Sequence, residues 1–172
     1  YNTNWQNVGD QNWVNGRLHS LKIKDNFITS MIPSSIKNLS ELTIFEIKNN
    51  SLVEIPNEIE FLYNLESLTL SSNQINTLVI NFSDLLNLRY LDIESNNLEI
   101  FPESVCDLNP IEINFRNNKI NMKKTITTIF MVPTLKIPKG ALRLLGFINA
   151  FQYDIDREID YGLHSCIKRS CG

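Results

Sequence analysis

Residues 88–108 read LRYLDIESNNLEIFPESVCDL. Apolar side chains fall at Leu88, Leu91, Ile93 and Leu98, with Asn96 fixed between the last two, which is the spacing L-x-x-L-x-L-x-x-N-x-L. Leu91 and Ile93 alternate with Tyr90, Asp92 and Glu94. That alternation predicts a short strand, because side chains of extended backbone point to opposite faces in turn. From Phe101-Pro102 through Val105 and Leu108 the two-residue period is gone, and the chain returns through a loop or a short helical turn. A unit of this kind cannot bury its apolar edge alone, so it implies neighbours of the same build.

The neighbours are present. Aligned on the asparagine, the copies are Leu18-Leu21-Ile23-Asn26-Ile28, Leu42-Phe45-Ile47-Asn50-Leu52, Leu65-Leu68-Leu70-Asn73-Ile75, the quoted unit, and a worn fifth, Ile113-Phe115-Asn118-Ile120. Successive asparagines are 24, 23, 23 and 22 residues apart. Ile32-Pro33, Ile55-Pro56 and Phe101-Pro102 recur at nearly one phase, each followed by an apolar pair such as Ile59 and Leu62. The pattern resembles the leucine-rich repeat family over roughly residues 13–120, with a unit length in the family's range. The first copy, Asn26 to Pro33, is similar to the plant-type subclass with serine at the glycine position, while later copies follow the shorter typical form. The resemblance implies an α/β leucine-rich repeat solenoid. It has a curved parallel sheet on the concave face, loops or short helices on the convex face, and caps at both ends.

The recurrent asparagine has a structural task. Where the chain turns out of the strand, backbone N–H and C=O groups lose their sheet partners, and a carboxamide both donates and accepts. Asn26, Asn50, Asn73, Asn96 and Asn118 are therefore expected to stack as an internal ladder.

A chain of 172 residues suffices for one domain with a sizeable core, and its apolar and charged fractions are ordinary for a globular protein. The formal net charge of −3 offers no basic excess for nucleic acid, and no run approaches the length needed to cross a bilayer. The chain opens at Tyr1, not Met, which leaves room for a removed targeting segment.

Residues 1–17 are expected to form the N-terminal cap, with Trp5, Val8 and Trp13 covering the open apolar edge of the first repeat. Residues 18–120 hold the repeats, and 121–172 the last convex segment and a C-terminal cap or docking extension. The flank around Trp13 and Gly16 is similar to that of secreted plant and bacterial repeat proteins, although the cysteine pair of the plant members is missing. Cys106 reads as a small core residue. Cys166 and Cys171 either close a disulfide loop, which implies an oxidising compartment, or remain free thiols, which suits the cytosol. With His164 they give three ligands at a spacing foreign to zinc, so no metal is expected. Asp154, Asp156 and Asp160 lack the central glycine and spaced glutamate of a calcium loop and read as a solvated acidic face.

Catalysis finds no support. There is no G-x-S-x-G, no H-E-x-x-H and no phosphate-cradling glycine loop. His19 and His164 have no evident nucleophile beside them, and the strand carboxylates Glu46, Asp92, Glu94 and Glu112 are expected to be solvated. No enzyme activity and no cofactor are expected.

What remains is the outward side of the sheet. Four positions per strand are expected to face out, the last of them Asp25, Asn49, Ser72, Ser95 and Asn117. From this set Lys22, Lys24, Ile44, Glu46, Lys48, Thr69, Ser71, Tyr90, Asp92, Glu94, Asn114 and Arg116 are the expected partner-binding residues. The face runs from basic to acidic along the chain and is shallow, which suits a polar protein contact better than a small-molecule pocket. The leading expectation is a non-enzymatic module that binds a protein or glycan at the cell surface or outside the cell. The alternatives are an accessory subunit of a larger assembly, docked through residues 134–172, and a protein inhibitor of an extracellular enzyme. Three glycosylation acceptors occur, at Asn38, Asn49 and Asn81, about as many as chance provides in so polar a chain.

Overall fold

The computed structural model describes residues 9–25, 31–102, 104, 105, 108 and 112–121. Six strands form one sheet in chain order: β1 Asp10–Val14, β2 Arg17–Lys24, β3 Ile44–Lys48, β4 Ser67–Thr69, β5 Tyr90–Asp92 and β6 Glu112–Asn114. From β2 onward all neighbours are parallel, and Leu21, Phe45, Leu68, Leu91 and Ile113 share one register line. Each of these five is buried, as are Ile23, Ile47, Leu70, Ile93 and Phe115 two residues on. The two-residue alternation thus aims one file of side chains into the core and leaves the other on the concave face. Glu112 pairs with Tyr90, so the described part of β6 is in register with its neighbours.

The return path is built from i→i+3 turns. Pro33 accepts the Ile36 N–H and Ile36 accepts the Leu39 N–H, both at 3.0 Å, and the same relay runs from Pro56 through Ile59 to Leu62. Proline suits the start of such a turn, since its fixed φ is already near the observed −69° and −70° and its missing N–H would have had no partner. The third repeat lacks the proline and places Asn81 there. Ser104 of the next repeat compensates, accepting the Phe82 N–H at 3.2 Å and donating to the Ile80 carbonyl at 2.9 Å.

The asparagine ladder is formed. Asn73 Nδ2 donates to the Ile47 carbonyl of the preceding repeat at 2.9 Å and to Leu70 at 3.0 Å, while its Oδ1 accepts the Leu52 N–H at 3.1 Å. Asn96 repeats this toward Leu70, Ile93 and Ile75, and Asn118 toward Ile93, Phe115 and Leu98. Asn50 donates to Ile23 and Lys48. Asn26 lies outside the described residues. A second pair escaped the sequence reading: Asn64 donates to the Ser40 carbonyl at 2.9 Å and Asn87 to Tyr63 at 2.8 Å. These exposed bonds tie successive repeats together where the chain climbs back to the sheet.

Among the described residues, the front edge carries an antiparallel hairpin. β1 pairs with β2 through the turn Asn15-Gly16, whose φ values of 50° and 75° suit a tight hairpin. Trp13 was expected to cover the apolar edge, but it is 51% exposed and its indole N–H donates to Gln11. Trp5 and Val8 lie outside the described residues. Gly9 is required on steric grounds, since a Cβ there would sit 2.1 Å from the Lys22 carbonyl oxygen.

Candidate binding surface

The outward file of the sheet assembles by register. Ser20, Ile44, Ser67, Tyr90 and Glu112 form one row across the strands, and Lys22, Glu46, Thr69, Asp92 and Asn114 form the next. Lys24 pairs with Lys48 in a third row. The backbone ladder continues that row past the short strands, through Leu70 N–H to Asp92 O at 2.7 Å and Ser72 N–H to Glu94 O at 2.8 Å. Ser71, Glu94 and Arg116 therefore extend it. All twelve expected surface residues lie on this one side of the sheet.

Two of them differ from expectation in exposure. Asp92 is 6% and Ser71 2% exposed. Asp92 bends back to accept the Glu94 N–H at 3.0 Å, and Asn114 does the same for Arg116 at 3.2 Å. Their short polar side chains cap the backbone as it leaves the strand. Ser71 is buried without such a bond from its hydroxyl.

The residues counted as fourth outward positions are not strand residues. Asp25, Asn49, Ser72, Ser95 and Asn117 all have positive φ, between 55° and 64°, and form the left-handed turn just before the ladder asparagine. Asn and Asp tolerate this conformation, which hints at the turn, whereas serine gives no such signal. They make their own edge, with Asn49 donating to Asp25 at 3.3 Å and Asn117 to Ser95 at 3.4 Å.

The charges are arranged in pairs and clusters. Lys24 Nζ lies 3.2 Å from Glu46 Oε1. Register places Asp10 of the hairpin opposite Lys22, so that end is less basic than the repeats alone suggest. At the other end the Glu94 carboxylate accepts Asn114 Nδ2 at 2.9 Å and Asn117 Nδ2 at 3.2 Å, which fixes its position. Tyr90 stands in this field. Burial pushes its phenol above the ordinary value of 10.0, and Asp92, Glu112, Glu94 and Glu46 add to the rise. Influence from Glu46 means that the acidic field crosses from β3 to β5 over the small side chains of β4.

A family model described as leucine rich repeat matches residues 16–75, and a second of the same description matches residues 87–108. The chain is a leucine-rich repeat protein. Among curated proteins, none matches this repeat protein. Among solved structures, it is similar to the BIR2 ectodomain of Arabidopsis thaliana, at 26% identity and TM-score 0.51, over 59% of this chain and 55% of that one. A leucine-rich repeat protein of Leptospira interrogans is 30% identical with TM-score 0.56, over 60% of this chain and 26% of that one. The plant peptide hormone receptor RGFR1, solved in complex with RGF2, is 29% identical with TM-score 0.50, over 54% of this chain and 15% of that one. The repeat protein thus spans about half the length of the first of these and far less of the others. Cys106, Cys166, Cys171 and the extension at 134–172 lie outside the described residues. Among those described, no helix is long and apolar enough to cross a membrane.

Proposed function

We propose that this repeat protein is a non-enzymatic binding module that presents its concave sheet to a protein or glycan partner at the cell surface or outside the cell. The observation that carries the reading is the register. Ordinary repeat packing brings Lys22, Glu46, Thr69, Asp92 and Asn114 into one polar row, with Tyr90 and Ile44 in the row beside it. A periodic apolar core accounts for the opposite side of the sheet, and on this side Lys22, Thr69, Ile44 and Tyr90 have no part in it, while Asp92 and Asn114 also cap the backbone. The likeness to receptor ectodomains supports both the mode of binding and the compartment, and the family is typically non-catalytic. Protein is favoured over glycan because the surface mixes both charge signs, which selects partners by electrostatic match.

The test identifies the species that co-purifies with the intact chain, then repeats the capture with Lys22→Glu and Glu94→Lys. Both variants are expected to fold normally and to weaken capture. Undiminished capture by both would show that the partner sits elsewhere.

A further inference from the structure

We infer that the concave face carries a hydroxyl-floored trough over β4 that takes an arginine side chain from an extended segment of the partner. The inference rests on the concave-face reading above and makes it specific.

The trough follows from side-chain size. Across the outward file, β4 and its continuation present only Ser67, Thr69 and Ser71, while Ile44, Glu46 and Lys48 rise on one side and Tyr90, Asp92 and Glu94 on the other. The flanking backbones are two strand spacings apart, about 10 Å, which leaves room for one long side chain over the half-buried Ser67 and Thr69, with Ser71 covered at the end of the row. At mid-length Glu46 and Asp92 stand level with each other across Thr69.

The chemistry of the lining selects a planar cation. Three carboxylates, from Glu46, Asp92 and Glu94, and the ring of Tyr90 border the trough. Opposing them are Lys48 at one end and Lys24, which is already engaged with Glu46. Asp92 Oδ1 accepts the Glu94 N–H, and each Glu94 oxygen accepts one asparagine amide, so both groups are held in place and retain lone pairs for a further donor. A guanidinium offers five N–H donors and a flat face for the tyrosine ring. The floor adds an independent sign of a missing partner. Ser71 Oγ is buried and is the buried side-chain polar atom with no hydrogen-bond partner among the described residues. Buried hydroxyls are normally paired, and this one accepts from an incoming side chain once the groups that cover it move aside. The raised phenol of Tyr90 fits the same field, since an arriving cation would relieve it.

The test titrates the intact chain, followed by NMR, with an acetylated and amidated peptide Gly-Ser-Arg-Gly-Ser and with its twin carrying citrulline, which has the same shape but no charge. The arginine peptide is expected to bind about tenfold more tightly. The preference should vanish in Thr69→Arg, which fills the trough with its own guanidinium, and survive in Leu86→Arg, where the residue is exposed on the segment between the Phe82–Asp84 turn and β5 and outside the outward file. Equal binding of the two peptides, or no saturable binding of either, overturns the arginine assignment. If equal binding is abolished by Thr69→Arg, the concave surface still stands as the binding face. An arginine preference that persists in Thr69→Arg removes both readings.

Discussion

Asn73 and Leu52 are joined by a hydrogen bond that crosses from one repeat to the one before: the Leu52 N–H donates to Asn73 Oδ1 at 3.1 Å, with both residues buried. The same side chain donates back to Ile47, so a single carboxamide serves both sides of the turn. Asn73→Ala leaves buried groups without partners and is expected to cost about 1–3 kcal/mol. Asn118→Ala, at a half-buried rung, should cost less. Urea unfolding monitored by circular dichroism measures both, and equal midpoint shifts would contradict a burial-dependent ladder.

Core and exposed apolar residues should separate cleanly. Leu68 is fully buried in the central register line, and Leu68→Ala is expected to lose about 2–5 kcal/mol. Leu86 is 68% exposed, and Leu86→Ala should stay within about 0.5 kcal/mol of the parent. The comparison of thermal midpoints checks both.

The N-terminal hairpin supplies a steric contrast. Both Gly9 and Gly16 have positive φ, but a Cβ at Gly16 meets nothing within 4 Å, whereas one at Gly9 runs into the Lys22 carbonyl. Gly16→Ala should cost only backbone strain, about 1 kcal/mol. Gly9→Ala should cost more and detach β1 from β2, read as faster amide exchange at the paired residues of β2.

Tyr90 offers a pH test. A raised phenol pKa means that the folded chain holds the proton more firmly than the unfolded chain. This contribution to stability is whole below pH 10.0, the ordinary tyrosine value, and is lost as the pH climbs past the folded value. The difference between ultraviolet titrations of the parent and Tyr90→Phe isolates this group, and its midpoint is expected above 10.0. Glu94→Gln should lower that midpoint without restoring it fully, because burial is the larger cause. A midpoint at or below the ordinary value would contradict the acidic surroundings.

The fold was legible because its forces repeat. A steady interval between asparagines, with leucines at fixed offsets, encodes both the parallel register and the internal ladder, and the structure shows both. Much of the surface was legible for the same reason, since alternation assigns Thr69 or Tyr90 to the outward file. What escaped depends on neighbours or on local backbone. Ser71 stands at an outward position yet is buried, which alternation along its own strand does not predict. The left-handed turns at Ser72 and Ser95 carry no residue signal, although Asn49 and Asn117 at the same phase do. Asn15-Gly16 carries the residue signal of a tight hairpin, and the structure forms one there. Asn64 and Asn87 recur at the repeat interval, but both are exposed, and no burial pattern marks them as structural.

The central claim is that the concave sheet meets the partner. The direct measurement places a short photoreactive diazirine side chain at position 48, beside the trough, and in a second preparation at position 86, exposed on the segment leading into β5, and identifies the crosslinked species by mass spectrometry. One defined adduct at position 48, suppressed by excess unlabelled chain and absent at position 86, is the expected result. The reverse pattern, with the specific adduct at position 86 and none at 48, would contradict it.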